Sequence, residues 1–294
     1  MKIGFIGLGI MGSRMAANLL NKHSYELVVH NRTSERAKEL VAAGAVWADT
    51  PAAAGRDADT IITVLAHPEA VAEAALGGDT GEGFLASLRP GSIWIDCSTV
   101  NPSFARHMAD HASSRGVHYL DAPVAGSKGA AQTGTLIFLV GGDVADFEAC
   151  RPLFAAMGRE AKHIGEVGMG AALKMVNNLL GALTVASFSE AVAFGETLGL
   201  PRDTLLTYLT EGGLGSAFLK LKSAKIASGD FEADFPLKWM QKDLHLASLS
   251  AYETGAALPM GNLTKELYRL AMRNGLGDSD FAAIYQLLAS SKVG

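Results

Sequence analysis

The sequence predicts an α/β protein in two parts: a doubly wound parallel sheet in the first half, an all-helical domain in the second, and a long helix that joins them. Three observations support this prediction. Short apolar segments alternate with helical patterns through the first half, a glycine-rich turn follows the first of these segments, and strand patterns stop near residue 168. Alternating strands and helices are typical of a parallel sheet that helices cover on both faces.

The elements of the first half follow from its apolar runs. Strands are predicted at Lys2–Ile6, Glu26–His30, Thr60–Leu65, Ser92–Asp96, His118–Asp121 and Thr135–Val140. Helices are predicted between them at Ser13–Leu20, Ser34–Ala43 and Pro102–Ser114. Short runs rich in Ile, Val and Leu fit strands that are buried on both faces.

The second half contains no convincing strand pattern. A helical pattern extends from Met169 to about Gly199, where Leu198-Gly199-Leu200-Pro201 is a helix-stop signal. Further helices are predicted at Arg202–Thr210, Leu237–Gly255, Asn262–Asn274 and Asp280–Ser290. The change of pattern near His163-Ile164-Gly165 predicts a boundary between domains 1–164 and 165–294, and 294 residues are enough for two domains.

The composition excludes several classes of protein. A net charge of -5 disfavours a nucleic-acid partner, since such proteins usually carry a basic field. Cys97 and Cys150 form no CxxC motif, which excludes a disulfide scaffold and fits a reducing compartment. Arg14 soon interrupts the first apolar segment, so no signal peptide is expected, and Met175–Ser189 is shorter than the ~18–20 apolar residues of a membrane span. We expect a cytosolic protein without a membrane partner.

Gly7-Leu8-Gly9-Ile10-Met11-Gly12 has the spacing GxGxxG. It follows a predicted strand and opens a predicted helix, which is the context in which this motif binds a dinucleotide. Gly7 permits the tight turn, Gly9 lets a pyrophosphate approach the backbone, and Gly12 lets strand and helix pack closely. The alternative is a glycine-rich turn without a ligand. We predict a Rossmann-type cofactor site that includes all six residues of the motif and Leu65 at the end of the third strand.

The second strand is followed by Asn31-Arg32-Thr33. A site selective for NAD usually has Asp or Glu here, because a carboxylate binds the ribose hydroxyls. Arg32 can instead bind a 2′-phosphate bidentately, and Asn31 and Thr33 can add hydrogen bonds. The segment therefore favours NADP(H) over NAD(H), and the alternative is that Arg32 is a solvated loop residue.

Lys174, Asn177 and Asn178 have i, i+3, i+4 spacing in the long helix, which places them on one face. A lysine that acts as a general acid/base near neutral pH needs a lowered pKa, and burial in an apolar helix lowers it. Spacing alone leaves it equally open that Lys174 faces solvent beside two asparagines. A separate apolar stripe is expected to pack against the protein; it consists of Leu173, Val176, Leu180 and Leu183.

Two loops follow predicted strands at the edge where doubly wound sheets bind ligands. Ser98-Thr99 follows the fourth strand, and Asp121–Lys128 contains the end of the fifth. The backbone N–H groups of Gly126 and Ser127 can hold a carboxylate, and Lys128 can add positive charge. The alternative for both loops is ordinary turn chemistry.

The remaining polar residues have simpler interpretations. Lys242-Asp243 is typical of a solvated charged turn, and Asp278-Ser279-Asp280 of a helix cap. The histidines show no HExxH motif or other ligand spacing, so no metal site is predicted at His67, His107, His111 or His163.

Four segments are together similar to one family: Gly4–Gly12, Asp121–Gly126, Gly168–Gly170 leading to Lys174 and Asn177-Asn178, and Lys242–Leu244. In this order and spacing, the chain resembles the β-hydroxyacid dehydrogenases from end to end. That family includes 3-hydroxyisobutyrate dehydrogenase, tartronate semialdehyde reductase and the glyoxylate/succinic semialdehyde reductases. The resemblance implies a Rossmann domain, a long interdomain helix, an all-helical domain, and assembly as a homodimer or homotetramer.

The resemblance also implies roles for individual residues. Lys174 matches the catalytic lysine, and Asn178 matches the asparagine that orients the lysine or the substrate. Thr99 matches a threonine near the nicotinamide and the substrate. The implied substrate site further includes Ala125, Gly126, Ser127, Asn177, Phe235 and Asp243, and Lys242 matches a lysine near the cofactor.

Val124–Lys128 and Phe235–Leu244 look closest to the glyoxylate/succinic semialdehyde reductases. The family usually has serine where this chain has Ala125, and the missing hydroxyl could weaken carboxylate affinity by ~1–2 kcal/mol. We predict NADP(H)-dependent reduction of glyoxylate or succinic semialdehyde, or oxidation of the matching hydroxy acids. The alternatives are a 3-hydroxyisobutyrate-type dehydrogenase, an imine reductase of the same fold, and a non-catalytic cofactor-binding protein. Lys174 disfavours the last two, since both are expected to lack the lysine.

Overall fold

The computed structural model describes residues 1–22, 25–78 and 81–289. The chain divides into two compact units, Met1–Met175 and Val176–Gly294. The division falls inside the long helix Met169–Thr197.

The first unit is built on a nine-stranded sheet with the order β11-β10-β8-β7-β4-β1-β2-β3, to which β9 adds beside β10. β5 and β6 form a separate hairpin. The strands are β1 (Lys2–Ile6), β2 (Glu26–His30), β3 (Val46–Trp47), β4 (Thr60–Thr63), β5 (Gly77–Gly78), β6 (Gly81–Glu82), β7 (Ile93–Asp96), β8 (His118–Asp121), β9 (Val124–Ala125), β10 (Leu136–Gly141) and β11 (Gly158–Gly165).

The strands from β3 to β8 along the sheet are all parallel, which confirms the doubly wound arrangement. The chain starts at β1, moves outward through β2 and β3, and returns to β4 on the other side of β1. Strand β10 departs from the expected direction, since it runs antiparallel to β8 and β9. The helix between β9 and β10 has only 6 residues, too few for the crossover that a parallel connection needs.

Helices surround this sheet. They are α1 (Gly12–Lys22), α2 (Lys38–Ala42), α3 (Pro51–Gly55), α4 (Pro68–Leu76), α5 (Pro102–Ser113), α6 (Lys128–Thr133) and α7 (Val144–Met157). The sequence patterns did not predict α3, α4, α6, α7 or β11. Val28 and Val29 belong to different apolar clusters, and so do Ile61 and Ile62, because neighbouring strand residues point to opposite faces. The sheet is therefore buried on both sides.

The second unit is helical. Its helices are the remainder of α8 (Met169–Thr197), α9 (Arg202–Glu211), α10 (Ala217–Ser228), α11 (Leu237–Thr254), α12 (Pro259–Ala271) and α13 (Ile284–Ala289). Within the described part of this unit no strand occurs, and one isolated bridge pairs Pro236 with Asp280. Helix α10 was not predicted, and α12 begins and ends three residues before the predicted Asn262–Asn274.

Helix α8 is longer than the apolar segment Met175–Ser189 on which the expectation about a membrane span was based. It has 29 residues, and by length and composition alone it is apolar enough to cross a membrane, whereas Met175–Ser189 is too short. Buried core helices also have this composition, and α8 contributes Ala171 to the core of the first unit and Val185 to that of the second.

The apolar stripe on α8 mostly faces away from the core, contrary to expectation: Leu173 is exposed, and of its four members Leu183 alone is half-buried. Val176 and Leu180 are 60% and 65% exposed. The buried face lies beside this stripe and includes Met175, Asn178, Ala182 and Val185. A helix that is apolar on more than one side has no periodicity that identifies which stripe faces the core.

Candidate active site

The glycine-rich turn between β1 and α1 requires glycine at two positions. Gly7 has a φ of 101°, and its N–H donates to the His30 carbonyl oxygen at 3.0 Å. A Cβ at Gly7 would lie 2.3 Å from the Val64 carbonyl oxygen, and one at Gly12 would lie 1.9 Å from the Gly7 oxygen. Backbone crowding therefore excludes a side chain at both ends of the motif.

Gly9, between them, has a different environment. A Cβ at Gly9 would meet nothing within 4 Å, so the protein itself places no restriction there. An open glycine at the start of a helix is the cradle that a pyrophosphate fills, because it lets the anion approach the backbone and the first helical N–H groups. The turn thus fits a dinucleotide.

Asn31 uses its amide to hold the turn. Its Oδ1 accepts the Leu8 N–H at 2.9 Å, and its Nδ2 donates to the Thr33 carbonyl oxygen at 2.9 Å. Arg32 and Thr33 are exposed, and within the described ranges no carboxylate forms an ion pair with Arg32. Arg32 is thus available to a phosphate, while Asn31 shapes the loop that carries it.

A buried polar network fixes the loop after β7. Asp96 is fully buried; its Oδ1 accepts from the Thr63 hydroxyl at 2.8 Å and from the Ser98 N–H at 3.0 Å. The Ser98 hydroxyl oxygen accepts the Leu65 N–H at 2.9 Å. Burial raises the pKa of Asp96. The network joins the carboxyl ends of β4 and β7. It holds the backbone N–H of Leu65 through the Ser98 hydroxyl, and it holds the backbone N–H of Ser98, the residue before Thr99, through Asp96.

Sequence reasoning did not assign a role to Asp96. The available signal was a carboxylate ending the apolar run Ile93-Trp94-Ile95, in a strand predicted to be buried. Tyr119 joins the same network, since its hydroxyl donates to Asp96 Oδ2 at 3.4 Å.

The predicted carboxylate loop begins as strand β9. Ala125 pairs with Ile137 of β10 and is half-buried. Gly126 has a φ of 117°, and a Cβ there would lie 2.9 Å from the Ala130 Cβ, so only glycine fits without strain. Ser127 is exposed, and its hydroxyl caps no N–H of α6. The Ser127 hydroxyl thus lies two residues after Ala125, the position at which the family usually has serine.

Asp121 holds the start of α8 within the first unit. Its Oδ1 accepts the Gly168 N–H at 2.8 Å, and its Oδ2 accepts the Ala171 N–H at 2.7 Å. Burial raises the pKa of Asp121 to about 6. Lys174 is half-buried and lies one helical turn after Ala171. The helix with the predicted catalytic lysine therefore starts at the carboxyl end of β8.

Four predicted site residues form a chain of contacts in the second unit. The Asn177 amide donates to Asn178 Oδ1 at 3.1 Å, and the Asn178 amide donates to Asp243 Oδ2 at 2.6 Å. Lys242 Nζ lies 2.7 Å from Asp243 Oδ1, and the side chains of Lys242 and Asp243 are 16% and 2% exposed. The interpretation of Lys242-Asp243 as a solvated turn is wrong, because Asp243 is buried between an amide and an ammonium.

Phe235 lies elsewhere in the second unit. Its N–H donates to Asp280 Oδ2 at 3.2 Å, and its ring packs edge-on against Phe281 at 5.8 Å between centroids. Asp280 also accepts the Ala282 N–H, which confirms it as a cap.

His107 and His111 contact each other, although the sequence was interpreted as showing no ligand spacing among its histidines. They lie one turn apart on α5, and their Nε2 atoms are 3.2 Å apart, so this spacing does bring two ring nitrogens together. Over the described residues, no group of three His, Cys, Asp or Glu side chains could hold a metal ion.

Comparison with known proteins agrees with this architecture. Residues 2–165 match the model for the NAD-binding domain of 6-phosphogluconate dehydrogenase. Residues 168–288 match the model for the NAD-binding of NADP-dependent 3-hydroxyisobutyrate dehydrogenase. The chain belongs to the 3-hydroxyisobutyrate dehydrogenase family. This confirms the predicted family and makes the chain an oxidoreductase with a Rossmann-type NAD(P)-binding domain.

Three relatives that match nearly the whole of this chain carry three different functional names. The NAD-dependent L-serine dehydrogenase of Pseudomonas aeruginosa is 38% identical over 97% of each chain. Glyoxylate/succinic semialdehyde reductase 2, chloroplastic, of Arabidopsis thaliana is 34% identical over 99% of this chain and 80% of that protein. The cytokine-like nuclear factor N-PAC of Xenopus tropicalis is 35% identical, and the match covers 97% of this chain but 53% of N-PAC.

Two solved structures have the same fold as this chain. Mycobacterium tuberculosis 3-hydroxyisobutyrate dehydrogenase with L-serine superposes with a TM-score of 0.87 at 31% identity, covering 98% of both chains. Psf3 in complex with NADP+ and 2-OPP gives a TM-score of 0.87 at 28% identity, covering 97% of this chain and 99% of that one.

Proposed function

We propose that this family member catalyses NADP(H)-dependent hydride transfer between a small aldehyde acid, glyoxylate or succinic semialdehyde, and the matching hydroxy acid. The observation that supports this best is the position of Lys174. Its helix starts at the carboxyl end of β8, on the sheet edge where the glycine-rich turn, Leu65 and the Ser98-Thr99 loop also lie. When bound, the nicotinamide supplies or accepts the hydride.

In the direction of reduction, the Lys174 ammonium polarises the aldehyde oxygen and then donates a proton to it. The backbone N–H groups of Gly126 and Ser127, together with Thr99, hold the substrate carboxylate. The exposed Ser127 hydroxyl offers a donor in place of the one absent at Ala125. Asn178, one turn beyond Lys174 on α8, has its amide held by Asp243 and serves to orient the reacting groups.

The reaction is tested by following NADPH oxidation at 340 nm with glyoxylate, succinic semialdehyde, methylmalonate semialdehyde and tartronate semialdehyde. General acid/base catalysis contributes about 10²–10⁴-fold, so Lys174→Ala should lose about that much turnover. Lys162→Ala, a change of an exposed lysine on β11, is the matched control and should keep wild-type turnover. Equal turnover in wild type and Lys174→Ala would exclude this mechanism.

L-serine is a second candidate substrate, because it is named both in a relative that is 38% identical and in a solved structure that is 31% identical. It is a β-hydroxy acid, so the same lysine would serve as the base. NAD+ and NADP+ reduction with L-serine in the same assay separates the two candidates. A relative that is 35% identical is named as a nuclear factor and not as an enzyme, and turnover with any of these substrates would exclude a non-catalytic role for this chain.

The preference for NADP(H) is supported by the exposed Arg32 and by the absence of an acid at the end of β2. Charge-assisted bonds are worth about 1.5–3 kcal/mol, so Arg32→Ala should weaken NADPH binding about 10–100-fold and leave NADH binding unchanged. Arg115→Ala, an exposed arginine after α5, is the control. Tighter NADH than NADPH binding by the wild type would place the chain with the NAD-dependent enzymes instead.

Self-association is proposed through the second unit. Val176, Leu180 and Phe194 share one exposed apolar face of α8, because Phe194 lies five helical turns after Val176, and the exposed Leu198 follows directly after the helix. Exposed apolar patches mark interaction sites. Leu180→Glu should reduce the mass measured by light scattering to that of a monomer, and Thr207→Glu, a change at an exposed position on α9 of the same unit, should not. A wild-type monomer would contradict the proposal.

A further inference from the structure

We propose that Asp121 is a positioning residue that fixes the first turn of α8 and, through it, the placement of Lys174. The inference rests on the proposed function for Lys174 and adds a residue that acts on it from another element.

Each carboxylate oxygen of Asp121 has its own partner at the start of α8. Oδ1 accepts from the Gly168 N–H and Oδ2 from the Ala171 N–H, at 2.8 and 2.7 Å. The first N–H groups of a helix lack partners within the helix, and the helix dipole favours a negative charge beside them. Asp121 therefore anchors α8 from a strand 47 residues earlier in the chain.

The surroundings leave the carboxylate little freedom. A Cβ at Gly141 would lie 2.5 Å from Asp121 Oδ1. A Cβ at Gly170 would lie 3.0 Å from Oδ2 and 2.2 Å from the Leu139 carbonyl oxygen. Two glycines thus let β10 and α8 close around the carboxylate, and a shift of the first turn would collide with backbone atoms.

Asp121 has no countercharge. Its side chain is buried, and over the described ranges no lysine, arginine or histidine lies within ion-pair distance of it. Only N–H groups therefore balance the carboxylate, and each depends on the exact position of the helix start. Lys174 is one turn further along the same helix, so an error at Ala171 is transmitted to it, and about 1 Å of misplacement can cost 10²-fold in rate.

The test compares Asp121→Asn with Asp143→Asn. Asp143 caps α7 by accepting the Ala145 and Asp146 N–H groups, and α7 carries no predicted site residue. Both changes replace a capping carboxylate by an amide. We expect Asp121→Asn to lower kcat about 10–100-fold with an unchanged KM for NADPH, and Asp143→Asn to keep kcat within about 2-fold.

Two readouts do not depend on turnover. Hydrogen exchange should become faster in peptides that cover residues 166–172 in Asp121→Asn alone. The rate at which Lys174 reacts with trace acetic anhydride, measured by mass spectrometry, should change in Asp121→Asn and not in Asp143→Asn. If Asp121→Asn does not fold, Asp121→Glu tests the same point, because it keeps the charge and displaces it by one methylene.

The outcomes are distinct. An unchanged Lys174 labelling rate in a folded Asp121 variant overturns the positioning role, and so does a kcat loss equal to that of Asp143→Asn. A wild-type protein without turnover on any substrate overturns the proposed function. In that case a changed labelling rate in Asp121→Asn would still support Asp121 as the anchor of Lys174.

Discussion

Each unit of this protein contains a buried aspartate that holds backbone N–H groups of a distant segment, and the two are balanced differently. Asp121 in the first unit is held by two N–H groups at the start of α8. Asp280 in the second unit accepts from the Asp234 and Phe235 N–H groups and from Lys222 Nζ at 2.7 Å. Both carboxylates are buried, with Asp121 1% and Asp280 0% exposed.

The presence of a countercharge at Asp280 and its absence, among the described residues, at Asp121 indicate two uses of a buried aspartate. Lys222 lies over the Phe281 ring and supplies a full positive charge to Asp280, as expected of a structural clamp between α10 and the chain before α11. Asp121 lacks such a charge, and burial raises its pKa to about 6. The weaker balance occurs where the predicted catalytic helix starts, and functional sites are where perturbed pKa values cluster.

The largest effect is expected from Lys222→Ala. Removing one partner of a buried ion pair leaves an uncompensated charge, so the free energy of unfolding should fall by about 3–5 kcal/mol, measured by urea denaturation.

Lys225→Ala is the matched control three residues along α10. Its ion pair with Asp234, at 3.2 Å, involves side chains that are 18% and 43% exposed, so a loss of about 1 kcal/mol or less is expected. Equal losses from the two lysines would contradict the comparison.

The pH dependence of stability tests the other carboxylate. The folded-state pKa of Asp121, about 6, lies above its ordinary value of 3.8, so the folded protein binds more protons between these values. The stability from the neutral carboxyl is present at low pH and lost as pH rises to about 6. From about pH 4.5 to about pH 7, wild type should lose about 2 kcal/mol of unfolding free energy relative to Asp121→Asn.

Taking this difference between two proteins cancels the titration of groups that do not interact with Asp121. A constant difference across this range would mean that the carboxyl does not titrate there.

A smaller effect is expected at the glycine-rich turn. Gly9→Ala adds a methyl group where the protein leaves open space, so stability should stay within about 1 kcal/mol. The same methyl group would crowd a pyrophosphate, and overpacking costs about 1–3 kcal/mol, so NADPH affinity should fall about 5–100-fold in a fluorescence titration.

Gly213→Ala is the control, because a Cβ there also meets nothing within 4 Å and the residue lies in the second unit. Unchanged NADPH affinity in Gly9→Ala would remove the turn from the cofactor site.

Much of the fold followed from local patterns. Lys2–Ile6, Glu26–His30 and His118–Asp121 form strands with the predicted bounds, because their apolar runs are short and end at polar residues or glycine. Helix α7 was not predicted from the sequence, because it contains Pro152, and proline ordinarily interrupts helices. Strand β11 includes Arg159, Glu160 and Lys162 at the sheet edge, so it has no apolar run.

The candidate site was predicted in part. The glycine spacing, Arg32 and the Lys174 helix were readable because each is a local feature of the chain. The contacts among Asn177, Asn178, Asp243 and Lys242 were not, because the helix partners are 65 residues apart and only packing brings them together. The stripe with Val176 and Leu180 was expected to pack against the protein but is exposed, and the reason is the same: packing partners are not visible in the local sequence.

The sequence by itself determined the fold class, the cofactor turn and the lysine-bearing helix, since these depend on residue spacing within one or two neighbouring elements. Only the tertiary structure decided which carboxylates hold which segments. Asp121 meets Gly168 and Ala171 across 47 and 50 residues, and Lys222 meets Asp280 across 58. The physical reason is that burial and countercharge belong to the space around a side chain, and neighbours in that space are distant along the chain.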